Sequence, residues 1–169
     1  MLKFAGLIAL TAASTALGLL FASAKGNRVR ELASLALLIG ELETRIRFER
    51  AELCVLFRRA AEKQDYACLP FLPLCSENMA RMDFAGAFSS AVSECRAQMH
   101  LSEDDWKQVF SFAGALGATD LEGQLANCRV HEALFSEQLE AAKKDYAEKH
   151  KLYVSLGLFS GLMISVLLI

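Results

Sequence analysis

The chain has 169 residues, of which 54% are hydrophobic and 22% are charged, and its net charge is −2. This length predicts a single domain, and the slightly acidic balance excludes the basic surface that a nucleic-acid-binding protein needs. The apolar residues are concentrated at the ends, because residues 2–24 contain one charge, Lys3, and residues 152–169 contain none. All other charged residues lie between these segments, where a membrane core would exclude them.

The first predicted element is a transmembrane helix within residues 1–25. A bilayer core about 30 Å thick needs roughly 20 apolar residues, and residues 4–24 form a predominantly apolar run of that length. The Ala22-Ser23-Ala24 sequence also resembles a signal-peptidase site. An exported helical domain, released after cleavage there, is therefore an alternative.

A second transmembrane helix is predicted at residues 152–169, at the other end of the chain. Basic residues flank the two apolar segments on their inner sides, and basic flanks face the cytoplasm. We therefore expect a bilayer-anchored protein of the cell membrane whose central domain, residues 26–151, is cytoplasmic. The flanking cations are Lys25, Arg28, Arg30, Lys143, Lys144, Lys149 and Lys151.

Small residues recur at helical spacing in both apolar segments. They let helices approach closely in lipid, where the hydrophobic effect does not drive association. The candidate packing positions are Ala9, Ala13, Gly18, Gly157 and Gly161. Two interpretations stay open, since the segments can pack on each other or on another membrane subunit.

The central domain is predicted to be all helical. Residues 27–62 carry a heptad seam with a break near residues 48–51. After a turn at residues 69–73, one helix is expected from about Leu72 to Met82, and another from Phe84 to about Gln98. The seam consists of Leu32, Leu35, Ile39, Leu42, Ile46, Leu53 and Leu56.

Two capping signals divide the rest of the domain. Ser102 and the acidic residues after it resemble a capping box, and the helix that they begin should stop at Leu116-Gly117. A second helix begins after Thr119-Asp120 and continues for about 50 residues, or roughly 75 Å. The fold class is therefore an all-α helical bundle, with two long helices as an antiparallel stalk, short helices packed on it, and one transmembrane helix at each end.

Catalytic, metal-binding and cofactor-binding motifs are not found in the sequence. It has no phosphate-binding glycine loop and no Gly-x-Ser-x-Gly elbow, and His100, His131 and His150 are scattered. We predict a protein that is not an enzyme and has no cofactor. The cysteines are odd in number and lack Cys-x-x-Cys spacing, which favours reduced thiols in a cytosolic domain; they are Cys54, Cys68, Cys75, Cys95 and Cys128.

The segment 116–124 has two interpretations. In the first, it is a corner between helices, where Gly117 stops one helix and Thr119 or Asp120 caps the next. In the second, this corner contacts a partner, and Gly117, Asp120 and Gln124 are the candidate interface residues.

Over nearly its whole length the chain resembles the stage III sporulation protein AB family. The resemblance rests on the order and spacing of several pieces: Met1-Leu2-Lys3 before an apolar segment, Arg30-Glu31-Leu32, residues 42–46, residues 112–120 with Gln124-Leu125, and residues 153–162. In place of the proline that the family usually has before the helix near Leu53, this chain has Arg50-Ala51-Glu52. The stretch 68–100 matches only in its apolar pattern.

The resemblance implies a structural role in the mother-cell membrane around the forespore. The family's proteins are membrane components of a channel between the two cells, and their cytoplasmic domain is similar to the F-type inner-membrane platform of type II secretion and type IV pilus machines. The implied partners are the secretion-type ATPase of the sporulation operon and the other channel subunits. The residues alone also fit a generic membrane-tethered adaptor that recruits another cytosolic protein.

Overall fold

The computed structural model describes residues 2–49 and 51–167, with side chains throughout 23–49 and 51–149 and at a few positions beyond. Every element in these ranges is helical, which confirms the all-α class. Short 3₁₀ turns occur at Gln64–Tyr66 and Arg96–Gln98. The α-helices are α1 (Leu2–Glu49), α2 (Leu53–Ala61), α3 (Phe71–Asn78), α4 (Phe84–Cys95), α5 (Glu103–Ala115) and α6 (Leu121–Leu167).

The two flanking transmembrane helices are not supported by the described residues. Both terminal segments are helical, as parts of α1 and α6, but within those residues no helix is long and apolar enough to cross a membrane. Of the candidate packing positions, Ala13 is exposed, whereas the side chains of Ala9, Gly18, Gly157 and Gly161 lie outside the described set.

The predicted break between the first two helices is confirmed. Helix α1 ends at Glu49, and Glu52 is the N-cap of α2 in an extended conformation. Helix α3, however, ends at Asn78, earlier than the expected Met82. The reason is local, because Asp83 caps α4 by accepting a hydrogen bond from the Gly86 amide at 3.2 Å, and a turn must precede that cap.

The capping box at the start of α5 is confirmed in both directions. The Asp105 amide donates to Ser102 Oγ at 3.2 Å, and the Ser102 amide donates to Asp105 Oδ2 at 2.8 Å. These bonds satisfy two backbone donors that the first helical turn leaves open. Helix α5 therefore begins where the sequence predicted, and α6 is the predicted single long helix.

The chain divides into two compact units by its internal contacts. One comprises Met1–Val29 with Ala141–Ile169, and the other is Arg30–Glu140. In the first, Lys25 Nζ binds Asp145 Oδ2 at 2.9 Å, and Lys149 pairs with the same carboxylate. The α-carbon of Gly26 faces the ring of Tyr146 so closely that an added Cβ would lie 3.3 Å from it.

The second unit, which we call the central unit, is built around one apolar core to which all six helices contribute. Residues of the predicted seam are buried, among them Leu32, Ile39 and Leu42. The stripe on α1 is wider than the seam and includes Leu38, because this helix is covered both by α6 and by shorter helices. The side chains that converge at the centre are Leu35, Leu38, Ile39, Phe57, Phe71, Phe88, Val109, Phe112 and Phe135.

Helices α1 and α6 run antiparallel in the central unit. Gly40 lies opposite Glu132, and Arg129 Nε donates to Glu43 Oε1 at 2.8 Å. A buried carboxylate joins α1 to the loop before α5, because Glu31 accepts hydrogen bonds from the backbone amide and Nδ1 of His100, at 2.8 and 2.9 Å. Burying such a group is tolerated because it is hydrogen-bonded.

Candidate partner-docking site

The corner between α5 and α6 has the geometry that the sequence predicted. Gly117 follows the last turn of α5 with a φ of 81°, a left-handed conformation that glycine adopts without a steric cost. Asp120 caps α6, since the Gly123 amide donates to its Oδ1 at 2.9 Å. Gln124 Nε2 donates to the Thr119 carbonyl at 3.1 Å, which ties the loop to the first turn of α6.

An open groove lies beside this corner. Its volume is about 500 Å³, within the roughly 300–1,000 Å³ range of ligand-binding clefts. The walls come from the end of α1, the start of α2 and the first turn of α6, and most of its exposed lining is apolar. We call it the corner groove; it is lined by Ile46, Ala51, Glu52, Leu53, Leu121 and Gln124.

A second, smaller groove borders the corner. It measures about 210 Å³ and lies between the N-terminus of α4 and the end of α5. Gly114 leaves part of this space open, because nothing lies within 4 Å of where its Cβ would be. Gly117 lines this second groove and also packs on Leu53, a wall residue of the corner groove. The two grooves therefore share the turn between α5 and α6.

Ionic contacts hold the α1 and α2 walls of the corner groove together. Arg59 Nη1 binds Glu49 Oε2 at 2.8 Å across the break between the two helices. Beyond α2, Lys63 Nζ binds Glu41 Oε1 at 2.6 Å, and the Tyr66 hydroxyl donates to Glu41 Oε2 at 2.6 Å. Because Arg59, Lys63 and Tyr66 lie in or after the last turn of α2, these contacts hold the C-terminal end of α2 against α1.

Neighbouring hydrogen-bond donors stabilise the ionised form of the Glu41 carboxylate in spite of its partial burial. Burial by itself raises its pKa, but hydrogen bonds from Lys63, Tyr66 and Arg45 outweigh that effect and hold the pKa at about 2. The hydrogen bond between Tyr66 and Glu41 that lowers the pKa of Glu41 has the opposite effect on the pKa of Tyr66. Burial, followed by the hydrogen bond to Glu41, raises the pKa of Tyr66 above its usual range.

The exposed charges at the corner groove are acidic. Glu52 lines it, and Asp120 and Glu122 stand on either side of Leu121 in the chain, all three being exposed. Among the described residues, none of these carboxylates takes part in an ion pair, and no cation lines the groove. Of the described cations nearby in sequence, Arg47 pairs with Glu43 and Arg59 pairs with Glu49.

Large apolar side chains are exposed at the end of α1 and at the start of α6. Phe48, in the last turn of α1, is 77% exposed but does not line the groove, and Leu121 in the groove is 39% exposed. An exposed apolar side chain within a groove, such as Leu121, is typical of protein-interaction sites.

The predicted interface residues have separate positions in this arrangement. Gln124 lines the corner groove, Gly117 lines the smaller groove and lies against Leu53, and Asp120 is exposed at the cap of α6. Sequence reasoning missed the α1–α2 side of the groove. The available signal was the break near residues 48–51, which ends the buried seam just before Leu53 and leaves Phe48 outside it.

The histidines of the central unit are engaged in packing contacts outside the corner groove. His100 binds Glu31. His131 Nδ1 faces the Asn127 carbonyl at 3.0 Å and must therefore donate to it, and Nε2 lies 3.3 Å from Ser111 Oγ. Among the side chains that the structure describes, no three histidine, cysteine, aspartate or glutamate residues cluster as a metal site requires.

The family model for stage III sporulation protein AB matches residues 3–169, essentially the whole chain. The chain belongs to the stage III sporulation protein AB family. Membership in this family implies a role related to sporulation. No curated protein sequence and no solved structure matches the chain at a significant level. The corner groove is therefore interpreted from this chain's own geometry, as a feature of one member of the stage III sporulation protein AB family.

Proposed function

We propose that the protein is a non-enzymatic platform subunit of a secretion-like channel complex needed for endospore formation, and that it links a cytosolic ATPase to the membrane apparatus. Membership in the stage III sporulation protein AB family supports the setting. The observation that carries the docking role is the corner groove, an open and mostly apolar surface whose described carboxylates form no ion pair. A platform needs such a surface, because a partner gains affinity by burying apolar side chains in a preformed site.

We also propose that the protein is attached to the cell membrane through its two apolar ends, with the central unit in the cytoplasm. Support comes from the near absence of charge in residues 2–24 and 152–169 and from the basic residues that flank them. Among the described side chains of these ends, large apolar ones are exposed, a state that lipid or another subunit would relieve. They are Leu20, Leu152, Leu156, Phe159 and Met163.

The decisive experiment is a binding assay between the full chain in nanodiscs and the ATPase encoded in the sporulation operon. Saturable binding is expected, and Leu121→Gln should weaken it about tenfold, the effect of losing one buried aliphatic contact. Val130→Gln is the matched control, because Val130 is 56% exposed on the same helix and does not line the groove. Equal affinities for the two variants would place ATPase docking elsewhere.

A second substitution separates capping from partner contact at Asp120. Asp120→Asn keeps an oxygen for the Gly123 amide and so preserves the cap, but it removes the charge. If ATPase binding weakens while the melting temperature is unchanged, the carboxylate contacts the partner. No binding by a demonstrably folded chain would contradict direct ATPase docking and would favour assembly through the apolar ends.

A further inference from the structure

The corner groove combines an apolar floor with carboxylates that form no ion pair with any described cation, and this combination limits what can occupy it. Leu53, Leu121 and Ile46 supply the apolar surface, and Glu52 supplies a carboxylate within the lining. Asp120 and Glu122 add two exposed carboxylates beside Leu121. An anionic partner would be repelled by these carboxylates, whereas a cationic partner would be attracted to them.

The backbone around the groove limits the partner's secondary structure as well. No strand occurs among the described elements, and the non-helical part of the described groove lining is only the segment 51–52, which is too short to pair with an extended peptide. A peptide in extended form would bring unpaired amide and carbonyl groups against an apolar floor, which is unfavourable. A helix satisfies its own backbone hydrogen bonds and presents apolar side chains along one face.

The rigidity of the groove favours recognition of a preformed helix. The Glu41 contacts with Lys63 and Tyr66 and the Arg59–Glu49 pair tie α2 to α1 on one side. The Asp120 cap and the bond from Gln124 to Thr119 hold the start of α6 on the other. Little ordering of the groove is therefore needed on binding. The entropy cost of ordering it, which would weaken the partner's affinity, is correspondingly small.

From these observations we propose that the corner groove receives a cationic amphipathic helix of a partner protein, whose apolar face packs on Leu53 and Leu121 and whose lysine or arginine residues pair with Glu52, Asp120 and Glu122. This inference rests on the proposed function only in taking the groove as the docking surface. It names the chemistry of the occupant, and the occupant need not belong to the ATPase.

The test measures binding of two short fluorescent peptides to the full chain in nanodiscs of zwitterionic lipid. Both peptides are amphipathic helices with the same leucine face, but one carries lysines and the other glutamates on its polar face. Empty nanodiscs give the lipid background. The lysine peptide should bind saturably above background and the glutamate peptide should not; equal binding of both, or neither above background, would overturn the proposal.

Charge-neutralising variants then locate the site. The triple change Glu52→Gln, Asp120→Asn and Glu122→Gln should lower affinity for the lysine peptide by roughly tenfold or more at low salt. The difference from the unmodified chain should shrink as salt rises, because a Debye length of about 10 Å at 0.1 M falls to about 3 Å at 1 M. An unchanged affinity would overturn the proposed site.

A matched triple variant controls for net charge. Glu77→Gln, Glu94→Gln and Glu137→Gln remove the same number of exposed carboxylates from positions outside the groove lining, and they should leave peptide affinity within twofold. A loss as large as that of the groove variant would mean general electrostatic attraction and would overturn the proposal. Leu121→Gln should lower the affinity for the lysine peptide more than Val130→Gln does.

The same preparations separate this inference from the proposed function. In one outcome, the lysine peptide binds, the groove variant weakens its binding and the control variant does not, but the ATPase does not bind. This outcome supports the cationic-helix site and contradicts ATPase docking. ATPase binding that is insensitive to the groove variants, with no peptide binding, overturns the cationic-helix site and leaves the platform role in place. If the groove variants lose binding of the lysine peptide and of the ATPase alike, the result supports both the cationic-helix site and ATPase docking.

Discussion

At the scale of single residues, two glycines near the end of α5 have opposite environments. Gly117 has a φ of 81°, and a Cβ placed there would lie 3.2 Å from Leu53 Cδ1. Gly114 is in the last turn of α5, which ends at Ala115, and nothing lies within 4 Å of the position of its Cβ. The same substitution at the two sites should therefore change stability in opposite directions.

We predict that Gly117→Ala destabilises the protein and that Gly114→Ala stabilises it. A side chain in the left-handed region costs about 1–2 kcal/mol, whereas alanine in a helix interior is better than glycine by about 0.5–1 kcal/mol. For a chain of this size, each kcal/mol shifts the melting temperature by about 2–4 °C. Circular dichroism of the purified full chain measures both shifts, and two shifts of the same sign would contradict the prediction.

At the scale of elements, one carboxylate organises the connection between α1 and the segment that follows α2. Glu41 receives hydrogen bonds from Arg45 on its own helix and from Lys63 and Tyr66 after α2. Burial opposes its ionisation, but these donors outweigh burial and leave its pKa at about 2. The contact is therefore a net source of stability while Glu41 is ionised in the folded protein.

We predict that this contribution depends on pH in the acid range. The folded pKa of about 2 lies below the usual 4.5, so the stabilisation is complete above pH 4.5 and is lost as the pH falls toward 2. Its upper limit is about 3 kcal/mol. The free-energy difference between the unmodified chain and Glu41→Gln, measured by urea unfolding, should shrink over that pH range.

The control for this measurement is Glu94→Gln, since Glu94 is exposed on α4 and should show no comparable change. A difference for Glu41→Gln that stays constant from pH 6 to pH 2.5 would show that the carboxylate stabilises the fold by packing rather than by charge.

At the scale of the whole molecule, the cysteines test both the fold and the proposed orientation of the protein at the membrane. All five are free, with Cys54 and Cys68 partly accessible and Cys75, Cys95 and Cys128 buried. Burial raises the pKa of Cys75 to about 12 and of Cys128 to about 11, and it therefore suppresses their reactive thiolate forms. Labelling should thus distinguish two thiols of the folded chain from three that unfolding releases.

We predict that a membrane-impermeant maleimide modifies Cys54 and Cys68 in inside-out vesicles but not in intact cells, because we propose that the central unit is cytoplasmic. Cys75, Cys95 and Cys128 should react only after denaturation. Mass spectrometry of the labelled chain measures each site. Serine replacement of Cys54 and Cys68 gives the unlabelled control, and rapid labelling in intact cells would contradict the proposed orientation.

The sequence by itself determined the all-helical class of this protein, most of its helix boundaries and the family to which it belongs. Helix breaks and caps depend on neighbours within a few residues, so the Ser102 box, the Gly117 stop and the long α6 were all predictable. The burial of Ile39 and Leu42 followed equally from a local periodicity. The end of α3 was misplaced because the cap at Asp83 was not recognised.

The tertiary structure alone decided which apolar positions on the helices are left uncovered by a neighbouring helix. Leu121 lies seven residues before the buried Cys128 on α6, yet it is exposed in the corner groove, because α1 ends near it. Periodicity indicates which side of a helix is apolar, but only packing decides whether a neighbouring helix covers each position. The groove that joins Leu53 to Leu121 is therefore a property of the folded chain, since its walls come from segments far apart in sequence.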